Sequence, residues 1–290
     1  MKKGFTLIEL SVVLVIIGLI IGGVLVGRDL IANAGVRAQI SQIEKFKSAI
    51  NTFQVKYNAL PGDIAEPNAS GFGFLTRGTN PGLGDGDGII MGKCYNTPEC
   101  TCGYCLATGE SAMVWRDLST ALLTEGSFNT ANWNAPAAVN QELLFPKAVI
   151  GRENFISIWN KNYNNTMPRK LHFQISSIIT PVTSFHLAAE PALSILEAYN
   201  IDQKIDDGLP QFGKVRALYF TNLLTDIYLP LWAAGGGTVG ARGAGNDPNT
   251  AAVPGTDITC YDNNNVVGIR QYSLAQNGGN GINCALSITW

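Results

Sequence analysis

Lys2-Lys3-Gly4-Phe5-Thr6-Leu7-Ile8-Glu9 leads directly into the apolar run Leu10–Val26, which only Ser11 and glycines interrupt. Counted as a helix from Phe5, this segment spans roughly 33 Å, about the thickness of a bilayer core. Lys2 and Lys3 on its N-terminal side orient it, keeping that end in the cytoplasm and sending the rest outward. One residue does not fit an ordinary membrane span. Glu9 places a carboxylate where insertion costs several kcal/mol, so an acid there is a functional residue by default and needs a partner.

Two plainer readings compete. A secretory signal peptide ends in a small-x-small site after its apolar stretch, and Val24-Leu25-Val26-Gly27-Arg28-Asp29 offers none. A simple signal anchor has no use for Glu9. Cleavage between Gly4 and Phe5 would instead create an α-amino cation four residues from Glu9, the partner the acid needs.

Lys3-Gly4-Phe5-Thr6-Leu7-Ile8-Glu9 resembles the recognition sequence of type IV prepilins and type II secretion pseudopilins. The resemblance implies that Gly4 is the cleavage residue of a prepilin peptidase and that Phe5 is the methylated terminus. It also implies that Glu9 is the carboxylate that pairs with a neighbouring subunit's terminal amine during filament assembly. On that reading Glu9→Ala leaves membrane insertion intact or improved and reduces incorporation into filaments.

Beyond the run, Val36, Ile40, Ile43, Phe46, Ile50, Phe53 and Tyr57 recur at steps of three and four, an amphipathic helical stripe. Arg37, Gln42, Glu44, Lys45, Ser48 and Asn51 fall on other faces. No proline precedes Pro61, so one helix of roughly 80 Å is expected from about Phe5 to Tyr57. Gly18, Gly22, Gly23 and Gly27 weaken its middle by up to about 1 kcal/mol each relative to alanine. They serve either loosening on assembly or close packing in the membrane through small residues. Leu60-Pro61-Gly62-Asp63 ends the helix.

The chain accordingly divides into a leader (residues 1–4), an N-terminal helix (5–60, with 5–26 the membrane and assembly part) and an extracytoplasmic head (61–290). In the head, helices are expected over 110–125, with Met113, Trp115, Leu118 and Leu122 on one face, and over 190–201, with Pro191 at the start. Period-two strands are expected at 171–176 and 285–290, and weaker ones at 155–160, 215–220 and 268–274. The expected fold is α+β: a long helix carrying an antiparallel sheet. The segment Ala198–Gly208 also resembles stretches of larger prepilin-type proteins.

Composition narrows the function. The chain carries 20 Lys and Arg against 22 Asp and Glu, and its basic excess lies within residues 1–60, so the head is acidic and no nucleic-acid partner is expected. His172 and His186 belong to no metal motif, and His172 takes an outward strand position that predicts a solvated side chain. Gly235-Gly236-Gly237-Thr238-Val239-Gly240 formally contains G-x-G-x-x-G, but the adjoining Ala241-Arg242-Gly243-Ala244-Gly245-Asn246-Asp247-Pro248 cannot start a stable helix, so 234–255 reads as a surface loop. No enzyme signature appears.

Six cysteines remain. Export makes disulfides the expectation, with Cys260 joined to Cys284 and with Cys94, Cys100, Cys102 and Cys105 paired among themselves. A zinc site from those four is the rival, although their spacing matches no paired C-x-x-C knuckle. Leu83-Gly84-Asp85-Gly86-Asp87-Gly88 sets two carboxylates among glycines and is a candidate calcium loop through Asp85 and Asp87, with Asp63 a further donor. Its match to an EF-hand is incomplete, and a solvated Gly/Asp turn is the alternative. The resemblance adds that some pseudopilins carry calcium in their heads. No other cofactor is expected.

The function expected is a structural one: a pilin or minor pseudopilin, inserted in the bacterial inner membrane with its head in the periplasm and then built into a filament. Its partners would be the prepilin peptidase and other pilin or pseudopilin subunits. The alternatives are an anchored adhesin or substrate-binding head, and an anchored hydrolase.

Overall fold

A computed structural model of the chain describes residues 6–78, 82–92, 108–131, 140–159, 170–181, 187–211, 213–224, 227–232, 242–243, 260–262 and 271–290. The N-terminal helix α1 (Leu7–Tyr57) is continuous over 51 residues. It ends where Asn58 turns left-handed (φ 52°) and donates its N–H to Gln54 O at 2.8 Å, a cap that glycine or asparagine makes most readily. Pro61 then prevents any resumption. From Leu7 to Ile31 the apolar side chains are exposed on every face. From Val36 onward burial is one-sided: Val36, Ile43, Phe46, Ile50 and Phe53 are interior, as the stripe predicts, and so is Gln39. Gln39 belongs there because its Oε1 accepts the N–H of Ile150, while Gln42 accepts from Val149 N–H and donates to Lys147 O. Two glutamines thus tie the 147–150 segment to the helix.

After the short α2 (Asn68–Gly71) comes α3 (Gly109–Thr120), which is buried on most of its faces rather than on one. Trp115 is its anchor, fully buried, with its ring centroid 4.7 Å from that of Phe46 on α1. The helix stops short of the expected 125. Leu122 lies beyond its end, left-handed at φ 57° and 89% exposed, not on the buried face assigned to it. That conformation is sterically costly for leucine, and the turn N–H bonds of Ala121, Leu122 and Leu123 back to α3 hold it.

The strands are β1 (Asn154–Trp159), β2 (His172–Pro181), β3 (Leu187–Glu190) and β4 (Leu193–Ser194). The helix α4 (Ile195–Ile205) follows, then β5 (Val215–Leu224), β6 (Ile227–Trp232), β7 (Arg242–Gly243), β8 (Tyr261–Asp262), β9 (Gln271–Tyr272), β10 (Ile282–Cys284) and β11 (Leu286–Thr289). The main sheet is antiparallel, ordered β1-β2-β11-β5-β6, with β3 also on β2 and β7 on β5; β4 pairs with β10 and β8 with β9. The fold is therefore the expected α+β one, a long helix with an antiparallel sheet domain. Register lines up Ile156, Ile175, Leu286 and Ala217 in one core row and Ile158, Phe173, Ile288 and Val215 in the next.

Two further expectations need correction. The helix expected at 190–201 begins at Ile195, because Ser194 caps it with Glu197 in a reciprocal box (Glu197 N–H to Ser194 Oγ 3.2 Å, Ser194 N–H to Glu197 Oε2 2.8 Å). Pro191 instead precedes β4. The alternate positions of β2 and β11 are not solvated: Gln174, Ser176 and Ser287 are as buried as the apolar rows. His172 is half-buried, with Nδ1 3.1 Å from Thr289 Oγ1. Its pKa is lowered to about 4, first by burial and then by Arg216 and Lys170. It is a neutral interior-edge histidine, not a solvated one.

Cys260 and Cys284 form a disulfide that spans 24 residues and fixes β8 beside β10. Cys94, Cys100, Cys102 and Cys105 lie outside the described residues, as do His186 and residues 235–240. The Trp115 contact sets the expected mutational scale. Trp115→Ala should cost about 3–5 kcal/mol as a cavity in the core, whereas Leu122→Ala should stay within about 0.5 kcal/mol. Denaturant unfolding of the full chain in detergent measures both.

Candidate functional site

Two places hold functional residues named from the sequence. At the membrane end, Gly4 and Phe5 lie outside the described residues. Glu9 sits in the first turn of α1, where Thr6 is the N-cap. Thr6 N–H and Thr6 Oγ1–H both donate to Glu9 Oε2 at 2.8 Å, and Glu9 N–H donates back to Thr6 Oγ1 at 3.3 Å. The carboxylate is therefore tied to its own helix end.

In the head, Pro61-Gly62 turns the chain so that Asp63 points inward. Only glycine fits at position 62, where φ is 90° and a Cβ would fall 2.5 Å from Glu110 O. Opposite it, Gly84, Gly86 and Gly88 are all left-handed, with φ of 81°, 78° and 79°. This alternation turns the N–H groups of Gly84, Gly86 and Gly88 towards the buried carboxylates. Asp63 takes two of them, Gly86 N–H on Oδ1 and Gly88 N–H on Oδ2, both at 2.8 Å. Glu110 takes the flanking pair, Gly84 N–H on Oε1 at 2.7 Å and Met91 N–H on Oε2 at 2.9 Å. Asp85 and Asp87 remain on the rim and accept from Asp87 N–H and Ile89 N–H. One carboxylate oxygen each from Asp63, Asp85 and Asp87 lie within 4.8 Å of one another. These are the residues that could hold a divalent cation.

Asp85, Asp87 and Asp63 are thus brought together as the sequence reading supposed. Glu110 was missed. An acid in the first turn of a helix ordinarily complements the helix dipole at the surface, and nothing local reveals that this one is fully buried. Burial is also what shifts these groups. Asp63 is raised to about 7 by desolvation, offset by the Gly88 and Gly86 amides and augmented by Asp87 and Asp85. Glu110 is raised to about 9 by desolvation and then by Asp63, against the Met91 and Gly84 amides. Nearby, Arg77 Nη2 reaches Asp117 Oδ2 at 2.6 Å, and both side chains are buried.

A second acidic turn follows α4. Asp202 is buried and accepts from Tyr272 Oη–H at 2.7 Å and Gly208 N–H at 3.1 Å, with Asp206 and Asp207 beside it. Its pKa is raised to about 7, by burial before any neighbour. Within the Ala198–Gly208 segment this buried acid ties α4 to β9. Beside α1, a cavity of about 900 Å³ runs between Ala38, Lys45 and Thr52 on the helix and the 123–128 and 142–149 segments. Lys147 and Glu142 on its wall pair with each other.

The architecture is that of a pilin-like chain: an apolar helix bare over its first half, continuing as the spine of an antiparallel α+β head. Residues 1–25 match the profile of the prokaryotic N-terminal methylation motif. This motif and the long N-terminal apolar helix support a type IV pilin-like protein, a prepilin-type substrate with a helix long and apolar enough to anchor it in a membrane. No curated protein and no solved structure matches the chain.

Asp63, Glu110 and Asp202 give a pH prediction. Each keeps its proton in the folded chain at pH values where the unfolded chain has lost it, so stability falls as pH rises from the ordinary carboxyl range. The fall should run through about 7 for Asp63 and Asp202 and continue to about 9 for Glu110. Thermal melting of the full chain should give a lower midpoint at pH 9 than at pH 5 in the presence of chelator. Glu110→Gln should flatten the portion above pH 7.

Proposed function

We propose that the chain is a structural subunit, a pilin or minor pseudopilin, that prepilin peptidase cuts between Gly4 and Phe5 and methylates at Phe5. Residues 5–60 then form the assembly helix, and 61–290 form a head on the periplasmic side of the inner membrane. Assembly with other pilin-like subunits into a pilus-like filament or secretion pseudopilus runs through Glu9 and the new Phe5 amine. The observation that carries this reading is the methylation motif of residues 1–25 fused to a helix exposed on all faces through Ile31. Such a surface is covered only by lipid or by neighbouring subunits. Mass spectrometry of the mature protein should find methylated Phe5 at the terminus, and Glu9→Gln should reduce incorporation into filaments. A mature terminus beyond residue 20 would overturn the reading.

A second proposal concerns the head loop, favoured by the convergence of Asp63 with Asp85 and Asp87. We propose that these carboxylates bind calcium, which takes six to eight oxygens in adaptable geometry and draws the rest from carbonyls and water. Calcium would stabilise ionised Asp63 and so oppose the loss of stability with pH. At pH 8 the melting midpoint should rise in proportion to log calcium above the dissociation constant. The Asp85→Ala, Asp87→Ala double variant should not respond. No shift at millimolar calcium would leave this loop an ordinary Gly/Asp turn.

A further inference from the structure

The first-turn N–H groups of a helix have no partner within the helix, and at the edge of an apolar layer water does not reliably supply one. In α1 the residue that answers this need is the acid itself. Thr6 N–H and the Thr6 hydroxyl converge on Glu9 Oε2, and Glu9 N–H is returned to Thr6 Oγ1, while Leu10 N–H reaches Thr6 O at 3.2 Å. Both donors fall on one oxygen. Among the described residues, Glu9 Oε1 takes no hydrogen bond.

We propose that Thr6 is a positioning residue for Glu9: it holds the carboxylate by Oε2 as a reciprocal helix cap and leaves Oε1 presented for a cation from outside the chain. Glu9 then has two separable duties, one within its own helix and one towards a partner. The cap is complete in a single chain and does not rest on the assembly reading. Presentation of Oε1 does rest on it. The sequence-based expectation that Glu9→Ala is harmless outside assembly changes accordingly, because alanine strips the acceptor from Thr6 N–H. Glutamine keeps an acceptor in the same place, as capping boxes allow, and removes only the charge.

The test uses the full-length chain in detergent micelles, with amide hydrogen exchange followed by NMR at Thr6 and Glu9. Glu9→Ala should speed exchange at Thr6 by about five-fold, the size of a lost cap, and Glu9→Gln should not. Thr6→Val should speed exchange at Glu9, and Thr6→Ser should restore it. Unchanged Thr6 exchange in Glu9→Ala, or failure of serine to rescue, overturns the cap. Filament incorporation, read on variants shown by mass spectrometry to be cut at the wild-type bond, tests presentation. Thr6→Val should incorporate less than wild type and Thr6→Ser equally well. Equal incorporation of Thr6→Val overturns presentation. Wild type that forms no filament sinks the assembly reading while the exchange data still decide the cap.

Discussion

The helix α3 and the turn after α1 are fastened to one aromatic seam on α1. Phe46 meets Trp115 edge-on, and Phe53 meets Phe74 and Tyr57 in ring contacts of 5.3 and 4.5 Å. Ile43 and Ile50 fill the spaces between. The same helix has to satisfy two surroundings, apolar on all sides at its start and apolar on one side only at its end. A continuous backbone forces the change to occur along a single rod, and the change falls between Ile31 and Val36, where exposed aliphatics give way to a buried stripe. Because each buried aromatic on α1 touches a residue from a different part of the chain, the seam also brings α3 and the post-helix turn into register. It is the turn at Gly62 that then delivers Asp63 to the Gly84–Gly88 coil.

The buried acids present a second constraint. Asp63 and Glu110 accept four loop amides between them, a pattern that suits ionised carboxylates, yet their burial favours the protonated forms. Arg77 is committed to Asp117. The loop is thus organised by acceptors whose charge is opposed by their surroundings, which couples its hydrogen bonds to protonation in a way that does not arise in an all-amide turn.

Much of the fold was legible because it rests on short-range patterns. The α1 stripe, the Pro61 stop, and strands near 172 and 286 are encoded in spacing and turn residues that lie within a few positions of each other. What was illegible depends on burial by distant residues. Glu110 and Asp117 look like surface acids of an amphipathic helix until other segments close over them. Gln174 and Ser287 look like solvent positions of a one-sided sheet, but both faces are covered. Leu122 reads as a helix-face leucine because its spacing from Trp115 and Leu118 is right, and only the early helix end throws it outward. At the membrane end, Glu9 was readable as an anomaly, but its partnership with Thr6 needed side-chain directions.

The strand order carries a consequence for how the head comes to exist. β2 and β5 are not paired with each other; β11 lies between them and bonds to both. Residues 172–175 and 215–217 are joined through residues 286–289, while β2 is otherwise paired with β1 and β3, and β5 with β6 and β7. In chain order that joining strand comes after both of the strands it links. The two halves, β1-β2-β3 and β5-β6-β7, can each pair locally before β11 joins them, and Cys284, just ahead of β11, is also the later partner of the disulfide.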